Sequence, residues 1–246
     1  MRYEKKITES TSDKNLIGNF MKTNEELQKD VMEEIKSDPL LSNIASEIGV
    51  TAKEGVVTLS GLVDTYNKKL AAERAAQRVM GVKVVAVDLE VRLKGAGSRS
   101  DIEISEAVKN ALKWHTALNE DLVEIKVDDG WIYLDGVVEW DYQKKAAELA
   151  VQDLVGVRGV TNRITIRSTT VDAKEIKNKV TAAFHRSATI DSSNVKVDVS
   201  GNKVTIRGKV RSWAEKREAE NVAWGFPGIV SVDNQIEVDT EVFSTF

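Results

Sequence analysis

Apolar residues along this chain keep two rhythms in turn. The first is helical: Leu27, Val31 and Ile35, then Ile104, Val108 and Leu112, then Ile176, Val180 and Phe184 stand four apart. That spacing belongs to an amphipathic helix with one buried face. The second is the two-residue alternation of a half-buried strand, clearest in Val123, Ile125, Val127 and in Val195, Val197, Val199. Glu54-Gly55, Asp129-Gly130 and Ser200-Gly201-Asn202 come next, turns in which glycine or asparagine accepts positive φ. The following strand (Val57, Leu59; Ile132, Leu134; Val204, Ile206) is therefore expected to fold back as a hairpin.

A second helical stripe runs through mostly small residues: Ala72, Ala75, Ala76, Val79; Ala147, Ala150, Val151, Leu154; Ala219, Val222, Ala223, Phe226. Small side chains let such a helix lie close on a sheet. Ser212-Trp213-Ala214-Glu215 reads as a capping box at its start in the last copy. Gly81, Gly156 and Pro227-Gly228 are expected to end it. A third strand then alternates as Val85, Val87, Leu89, Val91; Val160, Asn162, Ile164, Ile166; and Val232, Asn234, Ile236, Val238.

The second half of this pattern aligns three times without a gap, from Gly61, Gly136 and Gly208, which lie 75 and 72 residues apart. A fixed period of this kind means a tandem array. The expected fold class is α+β: three tandem α-β-β-α-β modules, each with two helices packed on one face of a three-stranded mixed sheet. The divisions are an N-terminal extension over 1–23 and modules over 24–94, 101–167 and 172–240, with short linkers at Lys94 to Ser100 and Ser168 to Val171. Modules of about 70 residues sit near the lower limit for a self-supporting core.

The G-x-V after the second strand, the K-x-x-A-E runs at Lys69 to Glu73, Lys144 to Glu148 and, less cleanly, Lys216 to Glu220, the G-V after the helix, and V-x-N-x-I at Val160 to Ile164 and Val232 to Ile236 resemble the BON module. This is a bacterial domain of osmotically inducible periplasmic proteins and of secretin and mechanosensitive-channel families. The resemblance spans about residues 24 to 240 in three copies. It implies contact with phospholipid surfaces and a role in envelope maintenance and osmotic stress, without catalytic residues. Val87 departs from the pattern, standing where the other copies have Asn162 and Asn234.

Charge and composition narrow the partners. The chain of 246 residues has no cysteine and a net charge of −4, so disulfides and thiolate metal sites are out. The charge is uneven: +2 over residues 1–23, −1 over 24–100, −5 over 101–167 and 0 beyond. Without a basic body, nucleic acid is disfavoured. No apolar stretch approaches bilayer length, and the first 24 residues lack the apolar run of a secretory signal. A cytoplasmic location is expected, with the periplasm of the exported relatives as the alternative.

Residues that recur in every copy are best explained by the fold, and residues that occur once are where a specific function is expected. Glu73, Glu148 and Glu220 recur four after Lys69, Lys144 and Lys216 and read as exposed helix ion pairs. His115 and His185 follow the first helices of the second and third copies at non-equivalent positions, outside zinc spacings, and read as loop residues. No nucleophile elbow or phosphate loop occurs, and Lys94-Gly95-Ala96-Gly97-Ser98-Arg99-Ser100 reads as a linker. No enzyme activity, cofactor or metal is expected.

Aromatics supply the candidate site. On the outward side of the second strand the first copy has Val56 and Thr58 and the third has Lys203 and Thr205, whereas the second has Trp131 and Tyr133. Its third strand turns Arg163, Thr165 and Arg167 to the same side. Aromatics with arginine make a binding composition, so Trp131, Tyr133, Arg163 and Arg167 are the candidate contacts for an anionic phospholipid surface or a protein partner. A neighbouring module covering that face is the structural alternative. Tyr66, Trp140, Tyr142 and Trp213 gather at the start of the second helices and are expected to seal the helix end against its own sheet. The leading reading is a stress-associated, non-enzymatic binding or adaptor protein. The rival is a small-ligand or ion site in a cleft between repeats.

Overall fold

A computed structural model describes residues 22–93, 99–116, 122–169 and 172–239. The expected N-terminal extension up to residue 21, most of the first linker (94–98) and residues 170–171 of the second lie outside them. The first module runs α1 (Asn24–Ser37), β1 (Ile48–Lys53), β2 (Val56–Val63), α2 (Tyr66–Arg78) and β3 (Val84–Val91). The second runs α3 (Asp101–Trp114), β4 (Val123–Asp128), β5 (Trp131–Val138), α4 (Asp141–Val151), β6 (Gly159–Asn162) and β7 (Thr165–Ile166). The third runs α5 (Ala173–Arg186), β8 (Val195–Ser200), β9 (Lys203–Val210), α6 (Trp213–Trp224) and β10 (Ser231–Val238).

Each module is the α+β unit the pattern predicts. The first two strands pair antiparallel and the third runs parallel to the central one. Register repeats as well: Val56 stands opposite Val84, Trp131 opposite Gly159 and Lys203 opposite Ser231, a constant offset of 28. In the second module the third strand is interrupted at Arg163-Ile164, yet Ile164 stays fully buried. Both helical stripes face the inner side of their sheet, and each module has a separate core. Burying Ile132 and Leu134 there contributes on the order of 2 kcal/mol each.

The three anchoring glycines have a steric cause. Gly61, Gly136 and Gly208 take φ of 122°, 144° and 146°. A β-carbon at these positions would strike the carbonyl of Glu47, Leu122 or Asn194, just before the opposing strand. Only glycine accepts both that backbone and that approach.

Local details depart from the pattern in four places. The second helices stop at Arg78, Val151 and Trp224, short of Gly81, Gly156 and Gly228. Around those ends the amides of Val79, Leu154 and Gly225 turn back to Ala76, Val151 and Val222, tightening the backbone early. Val79, Leu154 and Phe226 still pack on their cores from beyond the helices. Half of the capping box at Ser212 forms: Ser212 Oγ accepts from the Glu215 amide at 3.2 Å, but Glu215 accepts from the Arg211 amide at 2.7 Å. Glu215 is thereby 5% exposed, with its carboxylate also meeting the Arg211 guanidinium at 3.2 Å. His185 belongs to the last turn of α5 and not to a loop.

The lysine and glutamate runs are the fourth departure. Glu148 and Glu220 accept from the Nδ2 of Asn162 and Asn234, both at 3.2 Å. Among the described residues no ion pair joins Lys144 to Glu148 or Lys216 to Glu220. Each asparagine also donates to the carbonyl of the nearby lysine, Lys144 at 2.8 Å and Lys216 at 3.0 Å. Its Oδ1 accepts from the amide two residues on, Ile164 or Ile236, at 3.2 Å. The side chain thus pins the third strand to the second helix. Where the first module has Val87, Lys69 Nζ reaches the Leu89 carbonyl at 2.9 Å instead, and Val87 packs on the core.

Candidate functional site

The helices cover one face of each sheet, and alternation puts Trp131, Tyr133 and Val137 of β5 on the other. Trp131 is 43% exposed, so among the described residues no other module covers this end of the face. Arg163, Thr165 and Arg167 are exposed on the same side. The register brings them together: Lys126 lies opposite Tyr133 on β4, and Thr161, two residues before Arg163, lies opposite it on β6.

Tyr133 is held between two cations. Lys126 Nζ stands 5.5 Å and the Arg163 guanidinium 5.1 Å from its ring centre, within the range of cation–π attraction. Both arginines predicted for the site are already paired. Arg163 donates to Asp135 at 2.7 Å, and Arg167 lies 3.7 Å from Glu139. Lys126 meets Asp128 at 3.2 Å. The face is therefore a mosaic of neutralised charge around two aromatic rings, not a basic patch. The sequence missed this pairing because Asp135 and Glu139 are distant along the chain from the residues they neutralise.

Three of the four aromatics at the helix starts do something other than seal their own modules. Tyr66 of α2 packs on the core of the second module, near Val160 and Glu148. Burial there, with the negative charge of Glu148, raises its pKa above the ordinary phenol value. Trp140 and Tyr142 open onto a groove of about 700 Å³ whose far side is Asn221 and Trp224 of α6 with Gly225 just beyond them. Trp213 alone behaves as expected, packed half-buried on its own core.

His185 Nδ1 and Ser192 Oγ lie 2.8 Å apart on the third module. His115 caps the end of α3. Among the described residues no cluster of His, Asp or Glu has the makings of a metal site, and no helix is long and apolar enough to cross a membrane.

Residues 23–92, 100–168 and 172–240 each match the family model described as BON domain. Osmotically-inducible protein Y of Escherichia coli (strain K12) is 28% identical over 148 residues, covering 56% of this chain and 72% of that protein. An uncharacterized protein in the gshII 5' region of Anaplasma centrale is 29% identical over 142 residues, 56% of this chain and 93% of the other. Among solved structures, CdsD, a structural protein of the type III secretion system of Chlamydia trachomatis, covers 85% of this chain and 90% of its own at 13% identity. Its TM-score of 0.23 is too low to bear on fold or function.

Proposed function

The chain belongs to the BON domain family in three copies, and on that premise we propose that it is a non-enzymatic, stress-associated adaptor whose second module holds a protein partner on its outer sheet face. Trp131 and Tyr133 carry the contact. Arg163 and Arg167 frame it, paired with Asp135 and Glu139. The observation that supports this most is the exposed Trp131 beside a Tyr133 held between Lys126 and Arg163. Fixed, partly dry aromatics with paired arginines at the rim have the composition of a protein interface.

Charge favours this partner over an anionic bilayer. The second module carries −5 over residues 101–167, and its face offers cations that are already neutralised. Such a surface gains little from anionic headgroups and is repelled at long range. Flotation with vesicles of phosphatidylglycerol, against vesicles of phosphatidylcholine, at low and physiological salt tests the choice. The protein is expected to stay out of both lipid fractions at physiological salt. Salt-sensitive flotation with the anionic vesicles, lost in Trp131→Ala, would replace the protein partner by phospholipid.

A further inference from the structure

The groove between the second and third modules is independent of the sheet face and has a chemistry of its own. Asp141 and Lys145 form an ion pair at 2.8 Å on its wall. Lys145 Nζ also donates to Asn221 Oδ1 of the third module at 3.2 Å, so the two halves are joined by one polar chain. Around it stand three aromatic side chains: Trp140, 37% exposed, Tyr142, 57% exposed, and Trp224.

Three properties of this groove select a ligand class. Its charges cancel, because the Asp141 carboxylate is met by the Lys145 ammonium, so a phosphate or a quaternary ammonium would have to break that pair or stay unmatched. Its exposed rings favour a ligand with flat apolar faces, since aromatic surface left in water stabilises nothing. Its polar chain offers acceptors on Asp141 and Asn221 and a donor on Lys145, which suits groups that both donate and accept. A pyranose ring meets all three conditions, with C–H faces above and below and hydroxyls around its edge. A proline-rich peptide meets two: its free carbonyls only accept, leaving the Asp141 and Asn221 oxygens without a gain. The volume of about 700 Å³ admits more than one ring.

We propose that this groove binds a neutral oligosaccharide, stacked on Trp140 and Tyr142 and hydrogen-bonded along Asp141, Lys145 and Asn221. The site exists only when the two modules are joined, because each supplies one wall.

The full chain titrated with chitohexaose, cellohexaose and maltohexaose, followed by tryptophan fluorescence and calorimetry, tests the proposal. At least one sugar is expected to bind saturably. Tyr142→Ala, at an exposed position that leaves the melting temperature in place, should weaken that binding about tenfold, and Asp141→Asn should weaken it as well. Trp131→Ala on the sheet face should leave it unchanged, so failure here and failure of the sheet-face reading are told apart. Absence of saturable binding to all three sugars overturns the proposal. So does binding that Tyr142→Ala leaves intact, or Tyr142-dependent binding of a proline-rich peptide in place of the sugars.

Discussion

The indole of Trp131 lies over Gly159, its partner in the β5–β6 register, and fills the space where a β-carbon would stand. The equivalent pairs in the other modules are Val56 with Val84 and Lys203 with Ser231. A glycine opposite the tryptophan is thus what allows the ring to lie along the sheet rather than stand off it, with the rest of the ring exposed.

Gly159→Ala should push the indole outward. Because the ring is half exposed and has room to move, the expected cost is about 1 kcal/mol, the low end for overpacking. A red-shifted tryptophan emission with a small fall in melting temperature would confirm the arrangement. An unchanged spectrum would show that Trp131 does not rest there.

Asn162 and Asn234 each bridge a helix and a strand, and removing either leaves a helix carbonyl and a strand amide short of a partner. Asn162→Ala and Asn234→Ala should each cost about 2 kcal/mol. Val87→Asn should gain nothing, because it takes a side chain off the core and the Glu73 carboxylate, the acceptor it would share, already accepts from Gln77 at 3.1 Å. Denaturant unfolding of the three variants measures this, and stabilisation by Val87→Asn would contradict it.

Tyr66 joins the first module to the second and makes that seam sensitive to alkali. Its folded pKa is raised above the unfolded value, chiefly by burial and then by Glu148. The stability it contributes is complete below the ordinary phenol pKa of about 10 and is lost as pH rises through the folded value. Absorbance titration of phenolate should show one tyrosine ionising late in the wild-type chain and missing from Tyr66→Phe. If all tyrosines ionise together, Tyr66 is not buried in the seam.

Gly136→Ala should be among the most damaging single changes in the second module. Alanine must there hold a φ of 144° while its methyl meets the Leu122 carbonyl. A loss of about 2 kcal/mol or more is expected, read as early melting of the second module by hydrogen exchange.

The repeat made the fold legible. Glycines forced by a carbonyl at Glu47, Leu122 and Asn194, and stripes such as Ile104, Val108 and Leu112, are local consequences of backbone geometry, so periodicity reveals them. What escaped were relations between distant residues. Arg163 with Asp135, Asn162 with Glu148, and Tyr66 with the second module's core depend on which elements meet, and spacing along one strand or helix does not report that. The hairpin turns show the same limit. The Asp101 carboxylate accepts the Asp129 and Gly130 amides, both at 2.9 Å, a tie from α3 that no turn motif signals.

The repeated fold supplies its own controls for the sheet face. Thr58, Tyr133 and Thr205 occupy the same outward position on β2, β5 and β9, so a photo-crosslinking amino acid placed at each samples three equivalent surfaces of one chain. In cells that make the protein, a discrete protein cross-link is expected from position 133, abolished by Trp131→Ala, and none from 58 or 205. Equal cross-linking from all three positions, or none from 133, would contradict it.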